Sequence, residues 1–313
     1  MFNKILIALD DSSCSKQAGQ IGLGFAQKLG AKVVVGHVLQ TPPAHLRLGV
    51  TRQEQESYAQ TVLEPWQDLG RQMNLELQAE HLREEDVGWG IVQLAQQTGC
   101  DLIVMGTHGR EGLRRVLLGS VAERVSRLSP IPLLLVRGDG KTEPVGGLFR
   151  HILAPVDGSE SGQLAVQMAD HLAVSLDADL RFVYVIPSIL PLSDPFGMGA
   201  MAILDYEQIE TGLEQEGKTI LEKAKANIKA AKVTTELIHS SYQREAQVIV
   251  EYAQQGNFDL IVMGTHGRSG LDRLLLGSVA EGVAHHATVP VLLVRASPVA
   301  PVQTPSPAQA TKR

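Results

Sequence analysis

The chain has 313 residues, a formal net charge of -6 and two cysteines, so at roughly 150 residues per domain its length predicts two domains, each with its own core and able to fold by itself. A mildly acidic chain is a poor general binder of nucleic acid or anionic membrane, and no apolar run approaches the ~18 residues of a bilayer span. The opening segment lacks the basic and apolar zones of a signal peptide, and Cys14 and Cys100 have no counterparts elsewhere that would make a disulfide or metal framework; a cytoplasmic protein with reduced thiols is expected.

The first predicted element is a strand, Lys4 to Asp10 (KILIALD), closed by aspartate. Ser12, Ser13 and Ser15 suit the start of a helix that ends near Leu29. Lys32 to Leu39 is a second strand. After a variable middle segment come a third strand, about Leu75 to Glu80, and a helix, about Val87 to Gln97. A fourth strand, DLIVMG from Asp101, runs into a glycine loop, a helix opens at Ser120, and Pro132 to Arg137 is a fifth strand. Residues 138–149, rich in glycine and polar side chains, read as a linker.

The same order then returns. His151 to Asp157 is a strand, Ser159 and Ser161 start a helix ending near Leu176, and Leu180 to Ile186 is the next strand. Thr234 to His239 is a strand and Ala246 to Gln255 a helix; DLIVMG from Asp259, a helix from Ser278 and a strand from Pro290 to Arg295 complete the set. The Pro- and Ala-rich residues 296–313 are expected to be a disordered tail. Near-continuous Val/Ile/Leu strands alternating with helices predict a parallel sheet covered on both faces, a doubly wound α/β fold.

The string DLIVMGTHGRxGLxRxLLGSVAE occurs twice, from Asp101 and from Asp259, and residues 101–137 match 259–295 at 26 of 37 positions. A whole domain has been duplicated, giving domains 1–137 and 150–295. The copies differ in length: Asp10 to Gly106 spans 96 residues and Asp157 to Gly264 spans 107. The excess falls near Pro187 to Asp205, read either as a mobile apolar lid or partner surface or as a loop packed on its own domain.

Within the repeat, Gly106, Gly109, Gly119 and Ser120 recur as Gly264, Gly267, Gly277 and Ser278. Glycine admits a ligand close to backbone amides and tolerates positive φ, and a Gly-Ser step opening a helix offers unpaired N–H groups and a positive dipole end to an anion. His108, His266 and the arginines 110, 115, 268 and 273 can add donors. If the first and fourth strands are neighbours, Asp10 and Asp157 flank the same crevices, and an acid facing an anion cradle fits a nucleotide. The alternatives are that these aspartates are N-caps, that the histidines pack against the loop and that the arginines are solvated. Gly140, Lys141 and Thr142 resemble the end of a P-loop but lack its first glycine and following helix. His285 and His286 have no partner at metal-ligand spacing.

The G-2x-G-9x-G-S spacing, the GTHGR loop, the aspartate-closed first strand and the PVLLVR-like last strand are similar to the universal stress protein family, in the tandem form of its ATP-binding branch. That resemblance covers nearly all of residues 1–137 and 150–295. It implies two five-stranded parallel sheets of order 3-2-1-4-5, adenine nucleotide alpha hydrolase-like, with ATP or ADP in the crevice, Mg2+ possible beside its phosphates, and domains joined through their last strands. It assigns the adenosine to Asp10 and Val38 in one copy and Asp157 and Val185 in the other. Ribose and phosphates fall to Met105, Gly106, His108, Gly109, Gly119, Ser120 and Val121, then to Met263, Gly264, His266, Gly267, Gly277, Ser278 and Val279. One departure is Asp11 where the second copy has Gly158, an added carboxylate beside the first site.

The function expected is that of an ATP-binding, nucleotide-responsive stress protein without a catalytic residue. Its rivals are a slow ATPase or phosphotransferase using His108 or His266 with magnesium, and a scaffold presenting the 187–205 segment. The short apolar last strands are expected to pair antiparallel as an internal pseudo-dimer, with a homodimer of chains as a further possibility.

Overall fold

The computed structural model describes residues 2–41, 51–108, 118–137, 148–188, 199–240, 243–267 and 276–296, and of residues 199–207 only the backbone. In the first half the elements are β1 (Lys4–Ala8), α1 (Ser13–Leu29), β2 (Lys32–Gln40), α2 (Arg52–Gln72), β3 (Leu77–Glu84), α3 (Val87–Gln97), β4 (Leu102–Gly106), α4 (Ser120–Leu128) and β5 (Leu133–Val136). The second half repeats them as β6 (His151–Pro155), α5 (Glu160–Leu176), β7 (Asp179–Ile186), α6 (Gly199–Lys225), β8 (Val233–His239), α7 (Glu245–Gln255), β9 (Leu260–Gly264), α8 (Ser278–His286) and β10 (Val291–Val294).

All ten strands lie in one sheet, in the order β3-β2-β1-β4-β5-β10-β9-β6-β7-β8. Each half is therefore a parallel sheet of order 3-2-1-4-5, and β5 and β10 join the halves antiparallel, with Leu134 opposite Leu292. Because β1 lies between β2 and β4, the chain leaves it in opposite directions on its two sides, opening a crevice at the strand ends. The second crevice lies where β6 separates β7 from β9.

Side chains alternate across the strands, so each sheet face carries one core. Ile5, Ile7, Val104 and Leu134 share a cluster with Ile152, Val262 and Leu292, whereas Leu6, Ile103 and Leu135 share the other with Leu153, Ile261 and Leu293. Both clusters run through the β5–β10 seam, so the apolar cores of the two halves are continuous across it. All eight residues of β5 and β10 are buried, and at about 1.5–3 kcal/mol for a fully buried Val or Leu they hold the halves together.

Two helices in the middle segments went unread in the sequence. The start of α2 has a capping box: Thr51 Oγ1 accepts from the Glu54 amide while Glu54 accepts from Thr51. Its buried face is Ala59, Val62, Leu63, Trp66 and Gly70. α6 begins at Gly199, so residues 199–205 of the supposed loop are its first turns; residues 189–198 lie outside the described residues, as do those at 138–147 and 297–313. β3 also extends to Glu84, past the predicted end at Glu80.

The aspartate that opens each DLIVMG strand has a structural use. Asp101 accepts from the amides of Asn3 and Lys4 at 2.7 and 3.0 Å, and Asp259 from those of Arg150 and His151 at 2.6 and 2.9 Å. Burial pushes the Asp259 carboxyl above its ordinary value, only partly offset by these backbone donors. A raised folded-state value means that this group's contribution to stability is fully present below the ordinary aspartate range and is lost as pH rises through the folded value. A carboxyl-carbon NMR titration is expected to place the Asp259 midpoint above the ordinary aspartate value; a midpoint at or below that value would contradict the burial.

Candidate functional site

Each crevice is built on the N-terminus of the helix that follows the first strand. Ser12 caps α1 by accepting from the Ser15 amide at 3.1 Å, and Ser159 caps α5 by accepting from the Gly162 amide at 3.1 Å. Asp10 and Asp157 are thus not the caps. Each holds its cap instead: Asp10 Oδ1 accepts from the Ser12 amide and hydroxyl at 3.1 and 2.6 Å, and Asp157 Oδ1 from those of Ser159 at 3.0 and 2.6 Å. One oxygen of each carboxylate is fixed in this way beside the crevice.

The glycine loop is tied to the same place. Ser12 Oγ lies 3.4 Å from the carbonyl of His108, and Ser159 Oγ lies 3.2 Å from that of His266. Each imidazole is oriented by the preceding threonine, Nδ1 lying 3.0 Å from Thr107 Oγ1 and 2.9 Å from Thr265 Oγ1. The far end of the loop closes when the Gly119 amide donates to the Thr107 carbonyl at 2.7 Å and the Gly277 amide to that of Thr265 at 2.8 Å.

The glycines serve close approach, not unusual backbone angles. None of Gly106, Gly119, Gly264, Gly267 and Gly277 has a positive φ. A Cβ on Gly106 would sit 2.9 Å from the backbone carbon of Cys14, and one on Gly264 would sit 2.7 Å from that of Ser161, so these glycines let the helix start press onto the strand end. At Gly119 a Cβ would meet the Thr107 carbonyl at 2.9 Å.

Gly119 and Gly277 are the N-caps of α4 and α8, and neither helix has a side-chain cap hydrogen bond. The amides of the first turn, at Ser120 and Val121 and at Ser278 and Val279, have no acceptor within their own helix. An uncapped helix start with its positive dipole end is the arrangement that takes an anion.

In the second half these parts surround a cleft of about 310 Å3. Its lining includes all nine residues singled out there: Asp157, Val185, Met263, Gly264, His266, Gly267, Gly277, Ser278 and Val279. Pro187 and, from α7, Glu245 and Ile249 also line it. The motif gave no signal for these three, which lie outside it; Val87 stands where Glu245 does in the other copy, although Ile91 matches Ile249. In the first half Asp10 follows β1, Val38 lies in β2, Met105 and Gly106 end β4, and His108, Gly119, Ser120 and Val121 frame the loop and the start of α4. Gly109 and the arginines 110, 115, 268 and 273 lie outside the described residues.

The universal stress protein family model matches residues 1–137 and 148–295. The chain belongs to the universal stress protein family. It is 39% identical over 150 residues to a universal stress protein of Methanocaldococcus jannaschii, covering 47% of this chain and 83% of that one. A universal stress protein of Mycolicibacterium smegmatis is 28% identical over 308 residues, 93% of this chain and 96% of the other. The crystal structure of a universal stress protein from Archaeoglobus fulgidus shares the fold, with a TM-score of 0.64 at 18% identity over 94% of this chain and 97% of that one.

The two universal stress protein domains anchor their loops differently. Ser161 of α5 donates a second hydroxyl to the His266 carbonyl, but the equivalent Cys14 of α1 turns its thiol to the Val136 carbonyl at 3.2 Å. Asp11 adopts φ 67, a left-handed conformation matched by Gly158 at φ 81. Its carboxylate pairs with Lys16 at 2.7 Å, with both side chains more than half exposed. The extra negative charge at the first site is thus offset locally. Among the described residues no group of three or more His, Cys, Asp or Glu is arranged to hold a metal ion, and no helix is long and apolar enough to cross a membrane.

Proposed function

We propose that the chain binds an adenine nucleotide, ATP or ADP, in the crevice of each universal stress protein domain and works in the cytoplasm as a nucleotide-responsive stress protein. The observation that carries this reading is the second-domain cleft, where a fixed carboxylate, an apolar wall and an uncapped helix start face one volume of about 310 Å3. That combination sorts the parts of a nucleotide. The amides of Ser278 and Val279 suit phosphate oxygens, the Asp157 carboxylate suits ribose hydroxyls, and Val185, Ile249 and Pro187 suit an aromatic base. A magnesium ion arriving with the nucleotide would be held mainly by the phosphates, as this ion keeps few protein ligands.

Calorimetric titration of the purified, nucleotide-stripped protein with ATP tests the reading. Binding with Kd below about 1 mM is expected. Ser278 is exposed at the first position of α8, so Ser278→Glu leaves the helix start intact while setting a carboxylate against the phosphates. It is expected to weaken the second site by at least about tenfold, since like-charge contact costs several kcal/mol. A wild-type protein with no measurable ATP affinity would refute the assignment.

A further inference from the structure

The chain brings each proposed anion cradle into contact with the other domain, and the contacts on the two sides differ. On one side the amide of Leu118, one residue before the N-cap Gly119, donates to Nδ1 of His285 in the second domain at 3.4 Å. Leu118 is buried at 5% exposure, and the next amide, Gly119, is held by Thr107 of its own domain. Because Gly119 brings no side-chain cap, these two bonds locate the amides that open α4. On the other side, Arg127 occupies the place of His285 in the repeat. It reaches Glu281, in the first turn of α8, at 3.2 Å, while holding Glu123 at 2.8 Å.

Helix α8 links the two places. Its N-terminus is the second cradle, and His285 is its penultimate residue. Nine residues of helix make a rod of about 13 Å. The end of that rod is fixed from the first domain by Arg137, whose Nη2 donates to the His285 carbonyl. Glu281 suits the helix dipole but opposes an anion bound at the same end; Arg127 offsets that opposition from the first domain.

We propose that His285, held at the end of α8 in the second domain, is a positioning residue for the first domain's nucleotide site. This rests on the nucleotide reading given above. His285 touches no ligand; it accepts the Leu118 amide and so aims the Ser120 and Val121 amides.

In the full chain carrying Ser278→Glu the second site is weakened, so the first site is read as the tighter step of an ATP titration. In that background, His285→Ala removes the acceptor, and His285→Asn restores one in the place of Nδ1. Loss of one neutral hydrogen bond predicts about fivefold weaker ATP binding at the first site and a small fall in melting temperature for the alanine variant, with recovery of both in the asparagine variant. Hydrogen exchange without nucleotide supplies an independent measurement: the Leu118 amide loses protection in the alanine variant and keeps it in the asparagine variant. Unchanged ATP affinity of His285→Ala beside a parent that binds overturns the positioning role while leaving the nucleotide reading intact. A parent that does not bind, next to a wild type that does, also overturns it. Absence of binding by the wild type overturns both.

Discussion

Replacing Gly264 with alanine is expected to destabilise the protein by about 2–3 kcal/mol, the upper part of the range for forcing atoms into a filled space. The added methyl would lie 2.7 Å from the backbone carbon of Ser161 and 2.9 Å from the amide nitrogen of Gly162. Backbone atoms of a capped helix cannot rotate away as a side-chain tip can, so either β9 or the start of α5 must shift. Any shift also moves Asp157, Ser159 and the His266 carbonyl, which those first residues of α5 hold together. Nucleotide affinity at the second site should therefore fall along with stability. Urea unfolding followed by circular dichroism measures the first effect and calorimetry the second; a loss below about 1 kcal/mol, well resolved by such curves, would contradict the close approach. Gly277→Ala is expected to be milder, its nearest obstacle being the Thr265 carbonyl at 3.1 Å.

Arg295→Met is expected to cost about 2–3 kcal/mol, because it strips a charged donor from two carbonyls at the end of α4. Nη2 of Arg295 donates to the carbonyls of Ser126 and Arg127 at 3.0 and 3.2 Å, closing the C-terminal end of α4 from the other domain. Burial lowers the guanidinium below its ordinary value, but no accessible pH removes its proton, so it remains a cation at the negative end of a helix dipole. Methionine keeps the length of the stem and loses only the head, which separates this effect from packing. Both tryptophans, Trp66 and Trp89, lie in the first half, so fluorescence follows that half and circular dichroism the whole chain. With two cores spanning the seam, the two signals should unfold together in the wild type. They are expected to separate in Arg295→Met, and coincident, unshifted curves would rule out a bridging role for this arginine.

What could be read in the sequence was what depends on neighbours along the chain. Apolar strands, serine caps after Asp10 and Asp157, and the spaced glycines all act within a few residues of themselves and make the doubly wound α/β class legible, whereas the 3-2-1-4-5 order came only with the family resemblance. Helix α2 escaped because Pro65 and Gly70 interrupt it, and both read as breakers when helix packing is unseen. Its capping box at Thr51 and Glu54 was the available signal. Glycine roles were harder still: Gly106 and Gly264 look like ligand glycines, but the atoms that exclude a Cβ belong to α1 and α5, which are distant in sequence. His285 gave no hint, since its partner Leu118 is 167 residues away and no metal spacing or motif involves it.

The antiparallel join between β5 and β10 places inside one molecule an interface that separate chains would have to assemble. In a pair of identical subunits every contact across such an axis is made twice, and any substitution that suits one side is imposed on the other. Fusion removes that constraint. Arg127 and His285 stand at matching positions with different chemistry, as do Asp11 and Gly158, Cys14 and Ser161, and Val87 and Glu245. One half can thus drift toward a new task while the other keeps the old one, and their pairing survives dilution because it never depends on meeting.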